Sequence, residues 1–280
     1  MREIAYSEIA DAVCGLCIEA NTILPADLRC AIEGARAAEA SPVGRAILGD
    51  LVENYTFAAE KGLPICQDTG MAVVFAQLGQ EVHITGGLLE DAVNEGVARG
   101  YAVGRLRCSV VGDPLRRENT GDNTPAVLHL QLAAGDKLRL TVAPKGFGSE
   151  NMTALKMLNP SAGREDILDF IVDAVSRAGS NPCPPVVVGV GLGGTSEHAA
   201  LLAKTALLRP VGGRSGDPFY AALEAEALER INALGIGPQG LGGSTTALSV
   251  CILPAPTHIA GLPCCVNLGC HVTRHASALL

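Results

Sequence analysis

Tryptophan is absent from the 280-residue sequence, and aromatic residues of all kinds make up only 3% of it. A surface that stacks nucleic-acid bases is built from aromatic side chains, so the sequence has little material for one. Positive charge is also scarce, because 21 Lys and Arg stand against 29 Asp and Glu and give a net charge of −8. A nucleic-acid-binding protein needs clustered Lys and Arg to displace counterions. These counts therefore argue against a nucleic-acid partner.

Long apolar runs are missing as well. The best candidate for a membrane-spanning helix, residues 185–208, contains four glycines together with Glu197 and Lys204, whereas such a helix needs about 20 predominantly apolar residues. The N-terminal segment carries Glu3 and Glu8 where a secretory signal has its apolar core. We therefore expect a cytoplasmic protein that does not enter a membrane.

Cysteine is abundant, with ten residues in the chain. Disulfides are disfavoured in a reducing compartment, and most of these cysteines are expected to be small buried hydrophobic residues. Three differ because they lie in loops rich in Gly and Pro: Cys66 in PICQDTG, Cys183 in NPCPP and Cys270 in VNLGCHV. The prolines around Cys183 make its turn rigid. Three widely separated thiols in rigid loops suit a metal cluster better than a disulfide, and three ligands on a four-iron cube would leave one iron open to substrate.

The spacing of apolar residues predicts helices over the first sixty residues. Ile9, Val13 and Leu16 recur at helical intervals. Asp27 is a candidate cap for a second helix, and Ser41-Pro42 supplies an N-cap and a first-turn proline for a third helix that runs to Gly62. We therefore expect a helical N-terminal lobe over residues 1–62.

Strands and helices mix in the remaining residues, 63–280. The predicted fold class is thus α+β, with the helical lobe on a mixed α/β core that carries a cluster-binding face. The turn Ala133-Ala134-Gly135-Asp136 predicts a hairpin between the strands on either side of it. The predicted strands are 71–76, 125–132, 137–143, 186–190 and 245–253, and the predicted helices are 88–103, 150–158, 164–178, 195–209 and 217–234.

Three other motifs suggest different chemistry. The glycines at 189–194 satisfy G-x-G-x-x-G between a strand and a helix, as a dinucleotide site does, but no strand ending in an acidic residue follows about twenty residues later. Cys14 and Cys17 form a CxxC pair on the first helix, without the βαβ context of a redox motif. The Cys and His residues between 264 and 275 could form a zinc site, but no second ligand pair stands at zinc-finger spacing.

Six motifs, in order and spanning nearly the whole chain, resemble the α-type half of iron–sulfur hydro-lyases, the class I fumarases and L-tartrate dehydratases. The resemblance implies a [4Fe-4S] cluster held by Cys66, Cys183 and Cys270, with an open iron that takes the substrate hydroxyl. It also implies reversible hydration of a C4 dicarboxylate, with fumarate and L-malate as the first expectation and L-tartrate as the alternative. The motifs are CQDTG at 66–70, NTGDNTPAV at 119–127, PKGFGSEN at 144–151, NPCPP at 181–185, GLGGTSEHAALLAK at 191–204 and THIAGLPCCVNLGCHVTRHA at 257–276.

The same resemblance assigns roles to five further residues. Gln67 and Asp68 are expected beside the open iron, with Asp68 as the acid/base near the departing hydroxyl; the alternative for Asp68 is a structural Asx-turn. Arg107 resembles a clamp on a substrate carboxylate, which a guanidinium grips with two parallel bonds. Gly148 resembles a position where the main chain approaches the substrate, and His258 a catalytic histidine that contacts it.

A partner is also expected, because the chain ends ten residues after Cys270 whereas a further domain follows in single-chain members of the family. The resemblance implies a separate β subunit that brings more substrate-binding cations and the base for the C3 proton, in an α2β2 assembly. A different class of function stays open at this point, namely a structural iron–sulfur or zinc subunit without catalysis of its own.

Overall fold

The computed structural model describes all 280 residues. Its helices and strands have the following bounds. They are β1 (Arg2–Ala5), α1 (Tyr6–Thr22), α2 (Ala26–Ala38), α3 (Pro42–Lys61), β2 (Met71–Gly79), β3 (Val82–Thr85), α4 (Leu89–Val103), β4 (Val127–Ala133), β5 (Leu138–Lys145), α5 (Phe147–Glu150), β6 (Ala154–Leu158), α6 (Arg164–Ala178), β7 (Val186–Gly193), α7 (Ser196–Ala206), α8 (Pro218–Asn232), β8 (Ala247–Ala255), β9 (Leu262–Gly269) and β10 (Ala276–Leu279).

The chain forms two compact units whose segments alternate along the sequence. The first unit comprises Met1–Pro25, Asn54–Phe147 and Arg274–Leu280. The second comprises Ala26–Glu53 and Gly148–Thr273. The fold class is α+β with an N-terminal helical region, as the sequence predicts.

The first unit is built on a four-stranded sheet in the order β10-β5-β2-β4. Strand β5 is antiparallel to β10 and to β2, while β4 runs parallel to β2. Helix α1 packs on β5 and on α4, and its predicted apolar face, Ile9, Val13 and Leu16, is buried in the core. Gly96 of α4 permits this contact, since a Cβ there would lie 2.6 Å from the Cβ of Val13.

The second unit is built on a four-stranded sheet in the order β6-β9-β7-β8. Its central strand β7 is buried along its whole length. Val186, Val188 and Val190 pack with residues of α6 and α8 in one core, and α7 packs against β7 as well.

The glycines of the G-x-G-x-x-G motif serve helix packing in this unit. A Cβ on Gly189 would lie 2.2 Å from the carbonyl oxygen of Ala203, and a Cβ on Gly191 would lie 1.9 Å from that of Ala199. Both oxygens belong to α7, so the glycines of β7 let this helix lie directly on the strand. Their spacing therefore has a structural explanation that requires no dinucleotide.

Two predictions of secondary structure are wrong. Strands β4 and β5 exist but form no hairpin, because β2 lies between them and pairs with both. The connecting turn bonds to the end of β2 instead: Gln80 N donates to Ala133 O at 2.8 Å and Glu81 N donates to Gly135 O at 3.0 Å. The predicted helix 150–158 is mostly strand β6, whose pairing with β9 overrides the local helical preference.

The prediction that residues 185–208 are the best candidate for a membrane-spanning helix is wrong, because residues 6–38 are long and apolar enough to cross a membrane by composition alone. The structure divides this segment into α1 and α2, and half of its most apolar window is buried inside the protein. The buried part includes Ile9, Val13 and Leu16 of α1, which belong to the core of the first unit.

Candidate active site

The CQDTG loop of the first unit follows the end of α3 and is anchored at its start. Ile65 N donates to Asn21 O at 2.9 Å, and Asn54 Nδ2 donates to Ile65 O at 2.9 Å. The partly exposed thiol of Cys66 lies 3.4 Å from Oε1 of Gln67, to which it donates. The structure thus places Gln67 beside Cys66 at the protein surface, where both side chains are open to a ligand.

The carboxylate of Asp68 is held through both oxygens by main-chain N–H groups. Oδ1 accepts from Gly70 N at 3.0 Å, which is the Asx-turn that the sequence left as an alternative. Oδ2 accepts from Phe147 N at 2.9 Å, so the side chain also reaches the KGFG segment. Because the second bond links distant parts of the chain, Asp68 does more than close a local turn, and its carboxylate orientation is fixed.

A buried layer of polar side chains supports this loop from behind. The hydroxyl of Tyr101, which is 1% exposed, lies 2.9 Å from the carbonyl oxygens of Thr69 and Gly70. Burial raises the pKa of Tyr101, which keeps its hydroxyl protonated as a donor. Asn123, fully buried, donates from Nδ2 to Gly70 O at 3.2 Å and accepts at Oδ1 from Ser109 N at 2.7 Å. The CQDTG and NTGDNTPAV motifs and the segment RLRCSV at residues 105–110 are thereby joined in one hydrogen-bonded layer.

Arg107 is placed by the same layer. Its main-chain N donates to Thr69 Oγ1 at 2.9 Å, and Thr69 Oγ1 donates to Arg107 O at 3.1 Å. The residue is exposed, and its guanidinium forms no ion pair within the chain. Arg107 is therefore tied through Thr69 to the residue next to Asp68, and its charge is available to a ligand.

In the second unit the structure brings the segments of Cys183 and Cys270 together. The carbonyl oxygen of Cys183 lies 3.3 Å from the main-chain N of His271, which donates to it, and 3.0 Å from Nδ1 of the same residue. Cys183 is exposed and has φ of +52°, a left-handed conformation that is uncommon outside glycine. Because Cys183 lies between prolines, its turn is rigid in this conformation.

The sulfur of Cys270 is oriented by its own turn. Val272 N donates to Cys270 Sγ at 3.3 Å, and Thr273 Oγ1 donates to Cys270 O at 2.7 Å. Hydrogen bonds from main-chain N–H groups to sulfur are among the features that stabilise cysteine ligands of iron–sulfur clusters. The local chemistry at Cys270 therefore fits a thiolate ligand.

Gly148 and His258 differ in their relation to this region. A Cβ on Gly148 would lie 3.3 Å from Asn181 O, so the KGFGSEN segment closely approaches the NPCPP turn. His258 lies in an exposed turn, where its Nδ1 accepts from Ala260 N at 3.1 Å. The structure thus brings Gly148 close to the Cys183 loop, whereas His258 is bonded only within its own turn.

Four other cysteines are buried: Cys17, Cys251, Cys264 and Cys265. Burial raises the pKa of Cys17 and Cys264 to about 12 and that of Cys265 to about 11. Their thiols stay protonated at neutral pH, as expected of packing residues. The three loop cysteines are thus set apart from this buried group by their exposure as well as by their motifs.

No three His, Cys, Asp or Glu side chains are grouped as the ligands of a single metal ion. The zinc site considered for residues 264–275 therefore finds no support in the geometry, and Cys264 and Cys265 of that set are core residues. A four-iron cluster differs from a single ion because its thiolates attach to separate irons around a larger body.

The polar side chains that support the CQDTG loop from behind include residues that the sequence did not single out. They include Asn123 and also Arg274, whose Nη2 donates to Asp68 O. Both lie within motifs that carry the family resemblance, which was the signal that could have found them. Tyr101 had no such signal, because it sits on the apolar face of α4 and only the fold shows its hydroxyl meeting the CQDTG loop.

A comparison with known protein families finds one family whose pattern covers all of these motifs. The model of the fumarate hydratase (Fumerase) family matches residues 10–279. The chain belongs to the fumarate hydratase family. The match covers almost the whole chain, and so it includes all of the loops described above.

Curated relatives of this fumarate hydratase family member carry another substrate in their names. A protein of Methanocaldococcus jannaschii, provisionally named L(+)-tartrate dehydratase subunit alpha, is 42% identical over 96% of either chain. The L(+)-tartrate dehydratase subunit alpha of Escherichia coli O157:H7 is 32% identical over all of this chain and 93% of its own length. The protein of the same name from E. coli K12 is 31% identical over the same shares.

Proposed function

We propose that this chain is the α subunit of a [4Fe-4S]-dependent hydro-lyase that reversibly hydrates a C4 dicarboxylate. The observation that carries the proposal is the CQDTG loop, where a partly exposed thiol adjoins a carboxylate held by two main-chain N–H groups. Family membership and the names of the curated relatives support the same reaction class. Fumarate and L-malate are the first proposed substrate pair.

Three thiols would hold the cluster: Cys66, Cys183 and Cys270. Their chemistry fits it, because all three are soft sulfur donors that reach the surface, and Cys270 Sγ accepts a main-chain N–H. Three protein ligands leave one iron open, and the bound cluster would supply a Lewis acid for the substrate hydroxyl. A structural zinc or iron–sulfur subunit without catalysis is the alternative of another class.

The chain's own residues would bind the substrate and move one proton. The Arg107 guanidinium binds a substrate carboxylate through two parallel N–H bonds, since no residue of the chain neutralises it. Asp68, oriented by Gly70 N and Phe147 N, gives a proton from its carboxyl group to the departing hydroxyl, which leaves as water. Gln67, Gly148 and His258 complete the proposed contacts to the substrate, with His258 as a second catalytic group.

The rest of the site we assign to a β subunit. A dicarboxylate needs cations at both ends, and Arg107 serves only one of them. The second cation and the base that removes the C3 proton would come from the partner, in an α2β2 assembly. The names of the relatives, each a subunit alpha, support a partner of this kind. We propose that the complex lies in the cytoplasm, where its ten cysteines, none of which forms a disulfide, would stay reduced.

Two substitutions separate cluster binding from catalysis. In the αβ complex purified without oxygen, we expect Asp68→Asn to keep the cluster's visible absorbance and to lose most of its turnover. Cys183→Ser should lose both. Cys30→Ser, at an exposed cysteine of α2, is the matched control and should change neither. Normal turnover of Asp68→Asn would remove Asp68 from the acid/base role.

A substrate panel decides between the two hydro-lyase activities. The names of the curated relatives favour L-tartrate dehydration as the second candidate. We expect kcat/KM of the complex to be highest for fumarate and L-malate; a higher value for L(+)-tartrate would establish the second candidate. A colourless, oxygen-stable complex with tightly held zinc and no turnover of any of these acids would instead establish a structural subunit.

A further inference from the structure

Arg274 is a buried cation that the proposed function leaves without a role. Its side chain belongs to the first unit and the residue is only 4% exposed. Arginine is rarely buried to this extent without a charged partner, because desolvating its guanidinium is costly. A reason specific to this position is therefore required.

The contacts of Arg274 show that an ion pair is not this reason. The guanidinium forms no ion pair with any residue of the chain, and its Nε is buried without a hydrogen-bond partner. Its Nη2 instead donates a short hydrogen bond to the main-chain carbonyl oxygen of Asp68. Arg209, another arginine with little exposure, behaves differently, because it binds both carboxylate oxygens of Glu224.

The carbonyl that Arg274 binds lies at the centre of the CQDTG loop. The carbonyl oxygens of Thr69 and Gly70 accept from Tyr101, and the Asp68 side chain accepts from Gly70 N and Phe147 N. Arg274 supplies the donor for the one remaining carbonyl of this stretch, at Asp68 itself. Three successive peptide carbonyls are thus fixed by buried side chains.

We propose that Arg274 is a positioning residue for Asp68, whose buried guanidinium holds the Asp68 carbonyl and so fixes the loop in the conformation from which the carboxylate acts. The inference rests on the proposed function, since it concerns the residue assigned to proton transfer. It adds that a guanidinium to which no substrate contact is assigned is required for turnover. Holding the Asp68 carbonyl in this way requires that the Arg274 guanidinium is buried without a carboxylate partner, which destabilises the fold.

The test compares Arg274→Gln and Arg274→Lys with Asp68→Asn and with the double variant Arg274→Gln/Asp68→Asn, all in the αβ complex. We expect kcat of Arg274→Gln to fall about 10- to 100-fold, as for other residues that orient a functional group, and KM to change far less. Arg274→Lys, which keeps a cationic donor, should recover part of kcat. Adding Arg274→Gln to Asp68→Asn should cause no further loss, because both changes act through one group.

Amide hydrogen exchange supplies a readout that does not depend on turnover. In Arg274→Gln the amides of residues 64–72 should exchange faster, while those of β7 should keep their protection. Arg99→Gln is the matched control in the same unit, since Arg99 is an exposed arginine that pairs with Asp11 and Glu95; we expect it to change neither kcat nor exchange.

Three results would overturn the inference. Unchanged exchange of residues 64–72 in Arg274→Gln would show that the contact does not hold the loop. If the fold-losses of kcat in the two single variants multiply in the double variant, the Arg274 substitution has a general structural effect that does not act through Asp68. Full activity of Arg274→Gln beside a crippled Asp68→Asn would reject the inference and leave the proposed function standing, whereas full activity of Asp68→Asn would reject both.

Discussion

At the scale of single residues, the site is a set of side chains whose polar atoms are held by backbone. Asp68 accepts from two N–H groups, Asn123 bridges two loops, and Cys270 receives an N–H at its sulfur. Such bonds fix orientation, because each leaves its side chain few alternative rotamers. The motif residues therefore owe their geometry to neighbours that carry no chemistry themselves.

In the second unit, the carboxylate of Glu39 is likewise held by main-chain N–H groups, and there the hydrogen bonds stabilise the fold. This carboxylate is fully buried and accepts from Ser41 N at 3.0 Å, Ser244 N at 2.8 Å and Thr245 N at 2.9 Å. Burial by itself raises the pKa of Glu39, but the hydrogen bonds from Ser244, Ser41 and Thr245 outweigh it and lower the pKa to about 2. The charged carboxylate thus ties the start of α3 to the glycine-rich segment before β8.

A pH-dependent stability follows from Glu39. A folded-state pKa of about 2 lies below the usual value of about 4.3, so the stabilisation is complete above about pH 4.3 and is lost as pH falls towards 2. We expect Glu39→Gln to lower the free energy of unfolding by about 1–3 kcal/mol at pH 7 and to flatten its decline below pH 4.3. Urea titrations at several pH values measure this, with the exposed Glu60→Gln as control; an unchanged pH slope in Glu39→Gln would contradict it.

At the scale of elements, local pattern predicted most of the helices and strands and missed several of their pairings. Helix 164–178 is confirmed to the residue, since its charged start and apolar period are local features. The β4–β5 hairpin is wrong because β2, more than forty residues earlier in the chain, supplies the partner of both strands. Strand β6 was missed for the same reason: its identity comes from β9, and no short window of sequence contains that strand.

The G-x-G-x-x-G segment provides a test of element packing. A Cβ at Gly191 would lie 1.9 Å from the Ala199 carbonyl oxygen of α7, so Gly191→Ala must push the helix away from β7. We expect a loss of about 1–3 kcal/mol in the free energy of unfolding, as for other overpacked cores.

The control for Gly191→Ala is Gly34→Ala in helix α2, where a Cβ would meet nothing within 4 Å. That substitution should stabilise by about 0.5–1 kcal/mol, the usual difference between Gly and Ala within a helix. Both values come from the same urea titration. Equal stability of Gly191→Ala and the unchanged protein would contradict the direct packing of α7 on the main chain of β7.

At the scale of the whole molecule, the sequence predicted the family and the fold class, but the supporting layer of the site required the structure. The motifs named Cys66, Asp68 and Arg107 because each stands in a recognisable loop. They could not name the Tyr101 and Arg274 contacts, because these depend on which helix and which C-terminal segment the fold places behind the CQDTG loop.

The need for a partner is a prediction at this scale. Because Arg107 provides a cation for only one end of a dicarboxylate, the isolated α chain should bind the cluster and show negligible hydration of fumarate. Adding the β subunit should restore turnover, with activity rising until the two chains are equimolar. Activity is measured by fumarate absorbance against the molar ratio of the chains, and full activity of α alone would contradict the divided site.

The central claim is that three thiols of this chain hold a cluster on which catalysis depends. Its most direct test is to expose the anaerobically purified αβ complex to oxygen while recording visible absorbance, iron content and fumarate hydration together. The account predicts a brown complex with about four irons per α chain, whose colour and activity disappear in parallel and return together when the cluster is rebuilt with iron and sulfide. Activity that persists after the iron and colour are gone would contradict it.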